Sequence, residues 1–193
     1  MNVIVPTSYA ELSLKKFTAL SSLQLLDNDP VDYMIDLVSI LCDVEYSLVS
    51  SLSLVDLKKI YERLNWLNEE VKVKKIQNEI EIKGIKYVAN YELEKITANQ
   101  YIYFKDSLKG GLNTNIHSAM AGIYIPKGKK FNEVPVTEVA GIFYEHMNVA
   151  TAYPIAVFFC QLLETSMPII QVSLNQKAEA KIMEAFNHLK AVQ

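Results

Sequence analysis

Hydrophobic residues recur at helical spacing along most of the chain, and strand-like alternation replaces that spacing over residues 79–88. In this segment two alternating runs, EIEI and IKYV, flank Lys83 and Gly84. Alternating runs around a two-residue break that contains glycine predict a β-hairpin. Because lysine fits poorly where φ is positive, a bulged turn at Gly84 agrees with the sequence as well as a tight two-residue turn does.

A two-residue loop also predicts the register of this hairpin. It places the apolar residues opposite each other on one face and the opposite charges on the other face, and each such pair contributes a few tenths to about 1 kcal/mol. The expected cross-strand partners are Ile82 and Ile85, Glu81 and Lys86, and Ile80 and Tyr87. An isolated hairpin is marginal in water, so helices or another chain must cover its apolar face.

Three amphipathic helices are predicted before the hairpin, with a short helical turn at residues 46–49 between the second and the third. Ser13 caps the first helix, Pro30 fits the first turn of the second, and Ser53 opens a capping box for the third, which extends to Leu67. The inward positions are Leu14, Phe17 and Leu20 in the first, Val31, Met34, Ile35, Val38 and Leu41 in the second, and Leu57, Ile60, Leu64 and Leu67 in the third.

Helical periodicity returns after the hairpin. Thr97 is the predicted N-cap of a helix that ends at Gly110 and Gly111. Its stripe contains Tyr101, Phe104 and Leu108. Further helices are predicted over residues 113–123, 137–146 and 148–164, a lysine-rich turn over residues 126–130, and a last helix with Ile182, Phe186 and Leu189 on one face.

Together these elements predict a mainly α protein, α+β at most, in which short helices form two groups around a small antiparallel hairpin. Its length of 193 residues and its 50% hydrophobic content suit one globular domain. The predicted organisation is an extended N-terminal arm at 1–11, a single globular domain at 12–164 (helical at 12–70, hairpin at 76–90, helical at 97–164) and a C-terminal helical segment at 165–193.

Charge argues against two classes of partner. The net charge is −3, so no overall field attracts the chain to nucleic acid or to an anionic membrane. Arg63 is the single arginine, and arginine is the preferred residue for bidentate contacts to phosphates and bases. The apolar, uncharged stretch at residues 149–163 is shorter than the ~20 residues of a membrane span and contains Pro154. We therefore expect neither nucleic acid nor a membrane as a partner.

The cysteines and histidines of this sequence, which often act in catalysis or metal binding, occur outside any motif for those functions. Cys42 and Cys160 lie in separate apolar runs, as reduced core cysteines do. The three histidines occur in neither an HExxH nor a comparable metal-binding motif. Residues 122–130, GIYIPKGKK, have the wrong spacing for a phosphate-binding loop. We expect no enzymatic activity, no metal, no cofactor and no small-molecule substrate.

Aromatic side chains cluster around the hairpin and the helix that follows it. Helical stripes of this kind are usually core. However, residues 101–104, YIYF, place large side chains on more than one helix face, and tyrosine is enriched at protein interfaces. The sequence therefore predicts a partner interface at Tyr87, Tyr91, Tyr101, Tyr103 and Phe104.

Several segments follow one another in a characteristic order over residues 11–164: LSLKKFTAL, a stop like SILCDV, SLVDLKKIYERLNWL, KGIKYVANYELEKITANQYIYFKDSL, IYIPKGKKF and AVFFCQLL. This layout resembles small structural and assembly proteins of tailed bacteriophages, of the connector, tail-associated, packaged virion protein or tail-assembly chaperone type. The resemblance assigns no functional residue.

The resemblance implies a non-enzymatic virion structural or assembly protein that acts through protein–protein contacts in a portal-associated, tail-associated or packaged assembly. It would be assembled in the host cytoplasm and reside in the virion, with other phage structural proteins and further copies of itself as partners. The alternative is a transient tail-assembly chaperone that is absent from the mature virion.

Overall fold

A computed structural model describes residues 3–23, 29–71, 76–90, 92 and 95–162. The chain divides into two compact units, Met1–Ala156 and Val157–Gln193. In the second unit the described residues, 157–162, are helical. The predicted C-terminal helical segment at 165–193 lies outside the described residues.

The first unit is mainly helical and contains a three-stranded antiparallel sheet, so the predicted α+β class is confirmed. Short 3₁₀ helices occur at Asn65–Asn68 and Phe131–Glu133, and residues 149–156 are helical. The other elements are α1 (Leu14–Leu23), α2 (Pro30–Cys42), α3 (Tyr46–Ser50), α4 (Leu54–Glu62), β1 (Glu79–Ile82), β2 (Ile85–Ala89), α5 (Ala98–Ser107), α6 (Leu112–Ile123), β3 (Tyr124–Pro126) and α7 (Val136–His146).

Helices α1 and α2 begin at caps that their sequences encode. The Oγ of Ser13 accepts from the Lys16 amide, and the Asp29 carboxylate accepts from the Val31 amide at 2.8 Å, with Pro30 in the first turn. α1 buries its predicted stripe, Leu14, Phe17 and Leu20, together with Leu23. α2 buries Ile35, Val38 and Leu41 as predicted, and also Leu37 and Cys42, because it contacts α1, α3 and α4.

Two predictions about the N-terminal helices are wrong. Val31, expected to face inward, is 36% exposed in the first turn of α2. The third helix ends at Glu62 and not at Leu67. The amides of Arg63 and Leu64 bond to carbonyl groups three residues earlier, and such bonds tighten the chain and end an α-helix.

The hairpin has the predicted register, with Ile82 opposite Ile85, Glu81 opposite Lys86 and Ile80 opposite Tyr87. Its turn is the tight one, because Lys83 (φ 55°) and Gly84 (φ 74°) both adopt positive φ. β3 pairs with the edge of β2 that β1 leaves free, so the strand order is β1-β2-β3. β3 was not predicted, because three residues directly after a helix show no alternation.

Helix α6 is the centre of the core. It contacts α1, α5 and α7, and its residues Ile116, Met120 and Ile123 are fully buried. Gly122 lets α5 approach closely, since a Cβ at this position would lie 3.2 Å from Cδ1 of Tyr103. At the same contact the buried Gln100 side chain donates a 2.8 Å hydrogen bond to the Gly122 carbonyl oxygen.

The N-terminal segment predicted as an extended arm packs against its own chain. Residues 3–7 form neither helix nor strand, but the Trp66 Nε1–H donates to the Pro6 carbonyl oxygen at 2.8 Å. The Tyr9 hydroxyl donates to the Leu67 carbonyl oxygen at 2.9 Å, and Leu12 is fully buried. Pro6, Tyr9 and Leu12 therefore pack within the first unit. The predicted globular domain began at residue 12, but this unit also includes the residues before it.

Candidate partner-binding surface

The predicted aromatic interface contains core residues. Tyr87 and Phe104 are both buried, and the Tyr87 ring lies 4.8 Å from the Phe143 ring, centroid to centroid. α7 contacts the hairpin, so of the two predicted coverings, helices or another chain, a helix of this chain covers the apolar face. Tyr87 and Phe104 are therefore removed from the predicted interface, and Tyr91 lies outside the described residues.

Two predicted residues, Tyr101 and Tyr103, are half-buried on α5. The Tyr103 ring lies 5.9 Å from the Phe131 ring. Burial raises the pKa of the Tyr103 hydroxyl, and a hydrogen bond with Ser118 opposes that rise. Ile102, on the same helix, is more exposed than either tyrosine. The structure thus assigns Tyr103 a packing contact between α5 and the 3₁₀ helix that contains Phe131.

A different set of apolar residues is exposed, and it lies on α2, α3 and α4. The core anchors of α3 and α4 are Val49 and Leu57, which are buried, and α2 contacts both helices. Other apolar side chains on these three helices are exposed to solvent. This apolar patch consists of Val31 (36% exposed), Tyr46 (48%), Leu48 (50%), Leu54 (66%) and Val55 (63%).

Acidic groups lie beside Tyr46 in the apolar patch, whereas Lys58 and Lys59 lie one helical turn from Leu54 and Val55 on α4. The Tyr46 hydroxyl donates to Oδ1 of Asp32 at 3.4 Å. Desolvation and the nearby carboxylates of Asp32 and Asp36 raise the pKa of this hydroxyl. Glu45 precedes α3 and is exposed. The sequence carries a signal for this surface, because residues 17–57 contain several aspartates and glutamates but neither lysine nor arginine.

The sheet carries ion pairs on one of its faces. Lys86 and Lys127 both contact the Glu79 carboxylate, at 3.4 and 2.7 Å, and the two lysines lower the pKa of Glu79, Lys127 first. Ile85 is 43% exposed, but the strand register places it on the face of Ile82 and Tyr87, opposite to that of Lys86. Other exposed charged residues on and next to these strands are Lys83, Lys129, Lys130, Glu81 and Glu133.

A cavity of about 210 Å³ lies between the N-terminal segment and the 3₁₀ helix that contains Trp66. Tyr9 and Trp66 pack edge to face in its wall, with centroids 4.9 Å apart, and Glu69 and Glu70 complete one side. Pockets for small molecules typically enclose about 300–1,000 Å³. This cavity is therefore a less suitable candidate site than the apolar patch.

The environments of His117 and Cys42 favour the neutral forms of both groups. Burial lowers the pKa of His117, whose Nδ1 has no hydrogen-bond partner among the described residues. Burial likewise raises the pKa of the Cys42 thiol, as expected for a core cysteine. Within the described part of the chain, no three His, Cys, Asp or Glu side chains are arranged to hold a metal ion.

Comparison with known proteins gives no match to a protein-family model, to a curated protein or to a solved structure. Over the described ranges, no helix combines the length and the apolar character needed to cross a bilayer.

Proposed function

We propose that this chain is a non-enzymatic structural or assembly protein of a tailed bacteriophage, which acts through protein–protein contacts in a portal-associated, tail-associated or packaged assembly. The observation that carries the proposal is the apolar patch on α2, α3 and α4. The phage assignment comes from the resemblance in segment order over residues 11–164.

The physical argument is the cost of leaving this patch in water. Each Å² of apolar surface removed from water contributes roughly 25 cal/mol. Leu54 and Val55 are neighbours in the first turn of α4, and Tyr46 and Leu48 belong to α3, which shares its contact helix α2 with α4. A partner chain that covers these side chains would recover this free energy.

The acidic groups beside Tyr46 add specificity. Carboxylates at the rim of an apolar contact steer a basic partner and disfavour an acidic one. The patch therefore suits a partner that has an apolar centre and places basic side chains next to Asp32 and Asp36.

The test compares a patch variant with a matched control in the phage that encodes this chain. Leu54→Glu with Val55→Glu places acids in the first turn of α4, where the helix dipole tolerates them, so the fold should survive. Ile102→Glu alters an exposed apolar residue on α5, outside the patch. Quantitative mass spectrometry of purified virions then measures how much of each variant is incorporated.

A structural subunit is expected in the wild-type virion at fixed stoichiometry, with incorporation lost in the patch variant and retained in Ile102→Glu. A tail-assembly chaperone would be missing from virions but would co-purify from infected cells with a phage protein, again dependent on the patch. Equal behaviour of wild type and patch variant in both samples would refute a role for the patch and with it the proposal.

A further inference from the structure

The cavity between the N-terminal segment and the 3₁₀ helix that contains Trp66 has two aromatic rings in its wall at right angles to each other. The ring centroids of Tyr9 and Trp66 lie 4.9 Å apart, and the ring planes are inclined at 89°. The Tyr9 hydroxyl donates to the Leu67 carbonyl oxygen, and the Trp66 indole N–H donates to the Pro6 carbonyl oxygen. Because both polar groups bond to the protein's own backbone, the two rings hold their positions without a ligand.

The charge at this cavity is negative. Glu69 and Glu70 line it and are exposed, and its described lining residues include no lysine, arginine or histidine. Neither glutamate forms an ion pair with a residue in the described ranges. Desolvation raises the pKa of the Tyr9 hydroxyl, and the charges of Tyr153 and Glu69 add to this rise. The Glu69 carboxylate therefore acts directly on the aromatic wall.

Aromatic rings beside a carboxylate favour an organic cation as the ligand. The face of an aromatic ring attracts a cation, tryptophan most strongly, and cages of such rings recognise quaternary ammonium groups. A calcium ion would instead need six to eight oxygen ligands. No three His, Cys, Asp or Glu side chains in the described part of the chain are arranged to hold a metal ion. An anion would be repelled by both carboxylates.

The size of the cavity limits the ligand to one compact group. Its volume is about 210 Å³. An apolar cavity of about 150 Å³ is large enough for benzene, so this cavity has room for a guanidinium or a trimethylammonium group. A guanidinium group is more weakly hydrated than a primary ammonium group, so less hydration free energy is lost when it enters an aromatic site.

A second cavity, of about 120 Å³, adjoins the first, because Ala10 and Ala150 line both. Gln77, Asn148 and Thr151 also line this second cavity and give it amide and hydroxyl groups. A chain attached to the cation can therefore extend into a polar site beside the aromatic one.

We infer that the first cavity binds a weakly hydrated organic cation, a guanidinium or an alkylated ammonium group, against Tyr9 and Trp66 with Glu69 as the countercharge. The inference goes beyond the proposed function, because the cavity shares no residue with the apolar patch. Such a cation is found on an arginine side chain of a partner protein or on a free small molecule.

The experiment titrates two cations into the full-length protein, each beside a neutral molecule of the same shape. N-acetylarginine amide is paired with N-acetylcitrulline amide. Choline is paired with its carbon analogue, in which a tert-butyl group replaces the trimethylammonium group. Trp66 is the single tryptophan, so its one indole N–H resonance in a two-dimensional proton–nitrogen NMR spectrum reports binding at the cavity wall.

At least one cation is expected to shift the indole resonance saturably, with a dissociation constant in the millimolar range, and its neutral analogue should bind about tenfold more weakly. Tighter binding of N-acetylarginine amide assigns the site to a side chain of a partner protein. Tighter binding of choline assigns it to a free small molecule.

Three variants test the assigned residues. Glu69→Gln should weaken binding about two- to fivefold, because an exposed carboxylate contributes modestly, and this loss should shrink as salt rises. Glu81→Gln makes the same change in net charge at an exposed site on β1 and should bind like wild type. Tyr9→Phe keeps the ring and should also bind like wild type.

Three results overturn the inference: an indole resonance that neither cation shifts saturably, neutral analogues that bind as tightly as both cations, or equal weakening by Glu69→Gln and Glu81→Gln. The first two need no variant, so they decide the question even if a substitution disturbs folding. None of these results affects the virion experiment, which depends on Leu54 and Val55.

Discussion

The ring of Tyr87 lies edge-on to the ring of Phe143, with centroids 4.8 Å apart and planes inclined at 70°. Both side chains are buried, and the contact attaches β2 to α7. Aromatic pairs in this geometry contribute about 0.5–1.5 kcal/mol beyond the area that they bury. The hairpin is therefore held by its own chain.

Removing this pair should strongly destabilise the fold. Phe143→Ala leaves a cavity beside Tyr87, and such truncations cost about 3–5 kcal/mol of unfolding free energy. Urea denaturation followed by circular dichroism measures the loss. Ile102→Ala, at an exposed site, should change stability by less than about 0.5 kcal/mol. A Phe143→Ala protein as stable as this control would contradict the packing of the hairpin on α7.

Gln100 provides a polar contact within the core. Gln100→Leu fills a similar volume but leaves the Gly122 carbonyl oxygen without its 2.8 Å donor, which should cost about 1–3 kcal/mol. Asn99→Leu places the same side chain at an exposed position one residue earlier and serves as the control. The two variants should differ clearly in their urea midpoints, and equal midpoints would show that the hydrogen bond contributes nothing.

The hairpin turn contains a residue that is not optimal for its backbone. Lys83 has φ 55°, a conformation that costs a non-glycine residue roughly 1–2 kcal/mol and that asparagine tolerates better. Lys83→Asn should therefore raise the free energy of unfolding by about 0.5–1 kcal/mol. Gly84→Ala, at φ 74°, should lower it. Thermal denaturation of both variants tests the turn, and the opposite order of midpoints would argue for a bulged turn.

His117 should make stability depend on pH. Burial lowers its folded-state pKa below the ordinary value of 6.5, so the unfolded chain binds the proton first as pH falls. The free energy of unfolding should therefore decrease as pH drops below about 6.5 and stop changing, for this group, below the folded-state pKa.

The His117 ring lies 5.0 Å from the Tyr144 ring, centroid to centroid. His117→Phe keeps a ring at this position and removes the titrating group. Urea unfolding at about pH 7.5 and about pH 5.5 should show a smaller pH effect for this variant than for wild type. Identical pH effects would assign the dependence to other groups.

Trp66 is the single tryptophan of the chain, so its fluorescence reports how the N-terminal segment is packed. Tyr9→Ala removes both the ring edge against Trp66 and the hydroxyl donor to Leu67. We expect emission at longer wavelength, because water reaches the indole. Tyr9→Phe keeps the ring and should leave the emission unchanged while costing about 1 kcal/mol for the lost hydrogen bond. An unshifted Tyr9→Ala spectrum would show that the segment does not cover Trp66.

Local features followed from the sequence because they depend on neighbouring residues. Thr97 and Ser53 cap their helices through the amides of Gln100 and Asp56, as their positions predict. The hairpin register followed from alternation around two residues. Each of these interactions is closed within four residues in a helix, or across one short turn, so distant parts of the chain do not alter it.

The tertiary structure alone decided which apolar residues became core and which became surface. Tyr87 was predicted to contact a partner, but it is buried against Phe143. Val31 was predicted to face the core, but it is exposed. β3 likewise became a strand because β2 offered a free edge. Burial depends on which elements cover a side chain, and those elements come from remote parts of the chain, so periodicity identifies an apolar face but not what covers it.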